Sequence, residues 1–169
     1  MAPRAAARLE SLGFEKVFEY KAGKLDWLAA GLPTEGTNSE CPRAGDASRK
    51  DVLVSGLTDR LGEVAERARK TRRDVVVVVD AERVVLGLLR SKELALDPEL
   101  VVEEAMRPGP STFRPYVSIN EMADYMVEHR LDSSPITTSD GKLVGVLFTS
   151  DALRLAGSPT ACVRKLITP

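Results

Sequence analysis

Gly87, Ser91 and Glu93, and again Gly145, Thr149 and Asp151, each bring a glycine, a hydroxyl and an acid close together in the chain. In both stretches the hydroxyl and acid stand where a short helix is expected to begin after a strand. A helix N-terminus offers unpaired N–H groups and the positive end of its dipole, which suit a phosphate or another anion. A carboxylate beside it can accept hydrogen bonds from ribose hydroxyls. The plainer account is that Ser91 and Thr149 cap the helices and the acids complement the dipoles, worth about 1 kcal/mol each.

Other candidates are sparser. Arg67, Arg69, Lys70, Arg72 and Arg73 form a basic run on the solvent side of an amphipathic helix and at its C-terminal end. A solvated, dipole-complementing helix end accounts for it, with a polyphosphate or RNA contact as the alternative. His129 is the only histidine, so a catalytic triad or histidine-based metal cluster has little to draw on. Cys41 and Cys162 stand alone, with nothing nearby to depress a thiol pKa. No catalytic residues and no metal ligands are assigned.

The elements that hold these residues repeat. A gapless shift of 58 positions lays Leu61 on Ile119, Val64 on Met122, Ala65 on Ala123 and Ala68 on Met126. The same shift lays Asp74 on Asp132, Val78 on Ile136 and Gly87 on Gly145. Each apolar set follows the i, i+3, i+4, i+7 spacing of a helix with one buried face. A β run comes next, Val75 to Val79 or Ser134 to Thr137, then a turn, then a strand over Val84 to Leu89 or Leu143 to Phe148. Five successive β-branched valines predict a buried strand. A short helix begins near Ser91 or Thr149. Each copy thus reads strand, helix, strand, strand, helix. A unit of about 50 residues has a marginal core alone, so the copies are expected to pack together. In the lead-in to each copy, Val54 and Gly56 align with Thr112 and Arg114, and an arginine fork suits phosphate.

Bulk composition narrows the function classes. The 169 residues carry 24 basic and 25 acidic side chains, a balance that argues against a dedicated nucleic-acid binder. No apolar run reaches the roughly 18–20 residues of a membrane span, and the N-terminus has no secretory signal pattern. The expected compartment is the cytoplasm.

With Val75 to Asp80, Val84 to Leu89, Ser134-Pro135-Ile136-Thr137, Gly141 to Leu147 and Asp151-Ala152-Leu153 in this order, residues 52–156 resemble a tandem pair of CBS motifs, a Bateman module. The resemblance implies an α/β (α+β) fold, two motifs packed with pseudo-twofold symmetry, and a homodimer. It further implies a cleft that takes an adenine nucleotide or related adenosyl compound, with AMP, ADP, ATP or S-adenosylmethionine as a ligand and no required cofactor. Carried over by position, Thr112, Arg114, Pro135, Ile136, Thr149 and Asp151 form the expected site. Val54, Val77, Ser91 and Glu93 form a weaker second one. In nucleotide-binding CBS motifs the hydroxyl lies three residues after the glycine and the acid six. Here Arg90 and Phe148 fill the hydroxyl slots, and the hydroxyls come one place late.

Residues 5–36, through Ala7 to Phe14, Val17, Tyr20, Gly23, Trp27 and Gly31-Leu32-Pro33, resemble the C-terminal tail of a rhodanese domain without its upstream cysteine loop. The expected organisation is a rhodanese-like remnant at 1–36, a flexible linker at 37–50, CBS motifs at 51–108 and 109–157, and a tail at 158–169. The function expected is regulatory and non-enzymatic, acting on an unknown protein. The alternatives are a ligand-free dimerisation scaffold or a fragment of a rhodanese–CBS sulfurtransferase.

Overall fold

Five consecutive valines can all be buried only if their strand is covered on both faces, and the computed structural model shows how. It describes residues 2–20, 23–29, 32 and 42–157. Gly31, Pro33, residues 37–41 of the expected linker with Cys41, and the tail from 158 with Cys162 lie outside the described residues.

The first lobe is a four-stranded sheet in the order β1 (Leu53–Ser55), β2 (Val75–Val79), β3 (Val85–Arg90), β4 (Arg107–Pro108). β1 runs parallel to β2, and the other pairs are antiparallel. Side chains alternate along β2. Val76 and Val78 pack with Leu61, Val64 and Ala68 of helix α4 (Leu61–Thr71), while Val75, Val77 and Val79 join Leu143 and Val146 of the second lobe. The second lobe pairs β5 (Ser133–Thr137) with β6 (Leu143–Phe148) under helices α6 (Ile119–Glu128) and α7 (Thr149–Ala156). Its helix stripe is the expected one: Ile119, Met122, Ala123 and Met126 are buried. Where α7 runs eight residues, the first lobe has only a 3₁₀ turn, Glu93–Ala95.

The pseudo-twofold axis is marked by an exchanged pair of hydrogen bonds between the hairpin tips. The N–H of Val85 donates to the carbonyl of Gly141 at 3.1 Å, and the N–H of Leu143 donates to that of Arg83 at 2.9 Å. Both pairs are related by the 58-residue shift.

One expectation is corrected. Residues 42–50, read from composition as the end of a flexible linker, are built into the second lobe. Helix α3 (Ala44–Ala47) places fully buried Ala44 in the core of that lobe, and Arg49 exchanges two backbone hydrogen bonds with Val146. The segment is polar because only Ala44 and Ser48 are buried, with Ala47 packed at the edge of the core. Its counterpart 58 residues on is helix α5 (Val102–Ala105) with β4, which closes the first lobe in the same way. The repeat therefore begins at about Arg43, and each lobe is completed by the segment that leads into the other.

The N-terminal residues form helices α1 (Ala2–Ser11) and α2 (Gly23–Ala29), with the Tyr20 ring set edge-on to Trp27. Phe14 and Phe18 are exposed. No described helix is long and apolar enough to cross a membrane.

Candidate functional site

Each acid singled out in the sequence meets an arginine that the other lobe's lead-in supplies. Arg49 Nε donates to Asp151 Oδ2 at 2.8 Å, and 58 residues on Arg107 Nε donates to Glu93 Oε1 at 2.6 Å. The two pairs are symmetry mates, one at each end of the contact between the lobes.

Asp151 is held below the usual carboxylate range, chiefly by the hydrogen bond from Arg49 and further by Arg154. For Glu93 burial pushes the pKa up, but the Arg90 N–H at 3.0 Å and the Arg107 guanidinium outweigh it, and the net shift is downward. Folded-state pKa values below the ordinary 3.8 and 4.5 mean stability that is complete above those values. It is lost as pH falls through the folded ones. The melting temperature is therefore expected to drop below about pH 4. The Asp151→Asn, Glu93→Gln double variant should flatten that acid limb; an unchanged limb would show that the pairs contribute nothing to it.

Neither hydroxyl caps a helix. The N-cap of α7 is Phe148, and Thr149 Oγ1 donates back to the carbonyl of Leu131, fixing the strand-to-helix corner. Lys92 precedes the 3₁₀ turn and Ser91 is exposed. Phe148 and Arg90, in the expected hydroxyl slots, turn toward the interlobe contact instead.

The two ends differ in chemistry. At the Asp151 end, Val52, Leu53, Val75, Val146 and Phe148 close against Arg49, Asp51 and Arg73, leaving about 10 Å³. That is at most the room of one water. The Arg49 guanidinium covers the Phe148 ring at 4.7 Å from its centroid, a cation–π seal. At the Glu93 end the matching ring position is Arg90, and the strand residue matching Val75 is Ser133. Arg90 Nη2 reaches the Ser133 carbonyl across the lobes at 3.2 Å. Arg90 Nε and Ser133 Oγ are buried there with no hydrogen-bond partner. Orphaned buried polar atoms cost on the order of 1–3 kcal/mol each, so they mark a place where a partner belongs.

The six residues expected as one site fall into two groups, Thr149 with Asp151 on the first turn of α7 and Thr112, Arg114, Pro135 and Ile136 along β5 and its lead-in. Arg114 Nη1 donates to Thr137 Oγ1 at 2.6 Å and to the Thr138 carbonyl, clamping the last residue of β5. Thr149 stands at the other end of that strand, its N–H on the Asp132 carbonyl. Four residues of strand separate them, about 13 Å. Thr112 belongs to the lead-in that pairs with β5 through Phe113 and Ile136, on the opposite edge of the sheet from Arg49. Ile136 faces the helices in the core, and buried Pro135, next along the strand, faces the other way. Of the weaker set, Val54 and Val77 pair in register within the apolar interlobe cluster, and only Glu93 carries a polar contact between segments. Missed in the sequence were Arg49, Arg107, Arg90 and Ser133. Extending the self-comparison upstream of Val52 would have laid Arg49 on Arg107.

Comparison with known proteins agrees with this geometry. Residues 102–158 match the family model described as "CBS domain". That match begins at α5, where the structure begins its second unit. A curated relative, "Uncharacterized protein MK0525" of Methanopyrus kandleri, is 24% identical over 119 residues, spanning 66% of this chain and 61% of that protein. Among solved structures, the cytosolic domain of the Mg²⁺ channel MgtE in complex with ATP superposes with a TM-score of 0.63 at 23% identity. That alignment covers 68% of this chain and 48% of that one. The CBS domain pair of protein MJ0100, in complex with 5′-methylthioadenosine and S-adenosyl-L-methionine, gives 0.61 at 19% identity. It covers 69% of this chain and 97% of that one. The chain thus spans about three fifths of the curated relative and half of the channel domain.

Proposed function

Starting from a chain whose fold is that of a CBS-domain pair, we propose that it is a regulatory module that takes an adenine nucleotide or adenosyl compound between its lobes. The observation that carries the reading is the duplicated arginine–carboxylate pair. A ribose offers two hydroxyls to the carboxylate, and the displaced arginine, on a lead-in segment, is free to take the phosphate. Glu93 with Arg107, Arg90 and Ser133 forms the less satisfied of the two sites, because it holds two buried polar atoms without a hydrogen-bond partner. Asp151 with Arg49 forms the second, and opening it requires Arg49 to leave Phe148. Since β4 and the segment at Arg49 each complete a lobe, moving either arginine shifts the balance between lobe arrangements. A ligand can regulate only through such a difference in affinity for two states. Solved relatives in complex with ATP and with S-adenosyl-L-methionine support the ligand class. The same reading makes the protein non-catalytic, cytoplasmic and a homodimer, with exposed Val127 and Leu153 on the helical face offered to the second copy.

A specific observation favours a second reading, a ligand-free scaffold. The Asp151 end is already sealed, and side chains of this chain satisfy both acids.

Thermal shift with AMP, ADP, ATP and S-adenosylmethionine separates them. A ligand at 100 times its dissociation constant adds about 2.7 kcal/mol. On the sensor reading one of the four raises the melting temperature, and Glu93→Ala or Asp151→Ala removes the rise. No shift at millimolar concentration with any of them leaves the scaffold.

A further inference from the structure

The basic run absorbed by neither reading lines a groove of about 640 Å³ on the outer face of the first lobe. Its walls are Arg69, Arg72 and Arg73, with Ser91 at the edge, and its floor is Ala65, Ala68 and Leu94. The internal repeat supplies the control for what the fold itself requires here. The positions that hold Arg69 and Arg73 in the first lobe hold Val127 and Leu131 in the second, and Ala68 stands where Met126 fills the space. Packing therefore does not demand Arg69, Arg73 or this hollow, while Arg72 is matched by Arg130 in the same left-handed conformation. Arg73 is held by Asp51 and Glu66 is engaged by Lys70 at 2.7 Å. The Arg69 and Arg72 guanidinium groups make no hydrogen bond or close ion pair among the described residues, although Arg69 stands near enough to act on the charge of Glu66. Asp74 and the negative end of the α4 dipole, about half a charge, oppose an anion here. With Arg73 paired to Asp51, the Arg69 and Arg72 guanidinium groups leave a positive excess of about half a charge.

We propose that this groove is a binding site for a phosphorylated small molecule, with Arg69 and Arg72 as the phosphate contacts and the alanine floor beneath the rest of the ligand. It is separate from the interlobe sites, and its volume is that of a small-molecule pocket.

Titration calorimetry with inorganic pyrophosphate on the full chain tests the site, with sodium chloride at matched ionic strength as the control. Two substitutions keep the fold: Arg69→Val, which installs what the second lobe has, and Arg72→Asn, since asparagine tolerates the left-handed backbone at that position (φ 52°). The expected result is saturable binding that weakens at least tenfold in the double variant. It should stay within twofold of the parent in Asp151→Ala and Arg107→Ala, whatever becomes of the interlobe sites. Arg69→Val alone should weaken it about threefold. The proposal is overturned by no saturable binding at millimolar pyrophosphate, by a double variant that binds like the parent, or by loss in Arg107→Ala instead. Equal competition by chloride at matched ionic strength also overturns it, as that is the behaviour of a diffuse basic surface.

Discussion

A chain beginning at Asp51, the boundary that composition suggests, is expected to be far less stable than one beginning at Pro42. The shorter chain loses Ala44 from the core of the second lobe, along with the Arg49–Asp151 pair. It also loses five backbone hydrogen bonds: Ala44 N–H to Val117, Gly45 N–H to Pro115, Ile119 N–H to Pro42, and the two between Arg49 and Val146. At about 1 kcal/mol for each, the five hydrogen bonds alone amount to about 5 kcal/mol of gross stabilisation. That is a large part of the 5–15 kcal/mol that holds an ordinary domain. Chemical denaturation of the two truncations should show the difference, confined to the second lobe if amide exchange is followed by residue. Equal midpoints would mean that residues 42–50 are a linker after all.

Alanine at Gly145 is expected to cost more than alanine at Gly87, although the two glycines occupy the same place in the repeat. A Cβ at Gly145 would stand 2.5 Å from the Arg49 carbonyl oxygen and 2.8 Å from Ser48 Oγ. The first of these is backbone, fixed by the exchanged bonds with Val146, so the lead-in segment must lift. A Cβ at Gly87 would meet Met106 Sδ at 2.3 Å and the Arg107 carbonyl at 3.0 Å. The thioether can rotate away. Overpacking of this kind costs about 1–3 kcal/mol, with Gly145→Ala at the upper end and Gly87→Ala near the lower. Gly145→Ala should also loosen Arg49 from Asp151 and blunt the acid limb of the stability profile, an effect that Gly87→Ala, acting in the other lobe, does not share. Urea midpoints in the reverse order would refute the account of why the repeat keeps a glycine here.

How the sequence encodes this fold is clearest in β2 and α4. The valine run and the Leu61, Val64, Ala65, Ala68 stripe are local patterns, and burial follows their periods directly. The duplication was legible too, because two copies of one pattern in one register is a property of the string. So was the matched placing of Asp151 and Glu93, since each follows its glycine by the same six places.

What the string did not disclose is who meets whom. Arg43 to Arg49 has the composition of a loop because a short segment that closes another lobe's edge buries few side chains and works through its backbone. Hydrogen bonds of that sort leave no periodic trace. Arg49 lies 102 residues from Asp151, and only the crossing of the lead-in segments brings them to 2.8 Å. Arg114 and Thr149 make no direct contact for the converse reason. They flank one strand, and a strand of five residues separates its ends by more than a side chain can reach. Residue types and repeat are properties of the sequence; pairing across the pseudo-twofold axis, and with it the geometry of the candidate site, was decided by the tertiary structure.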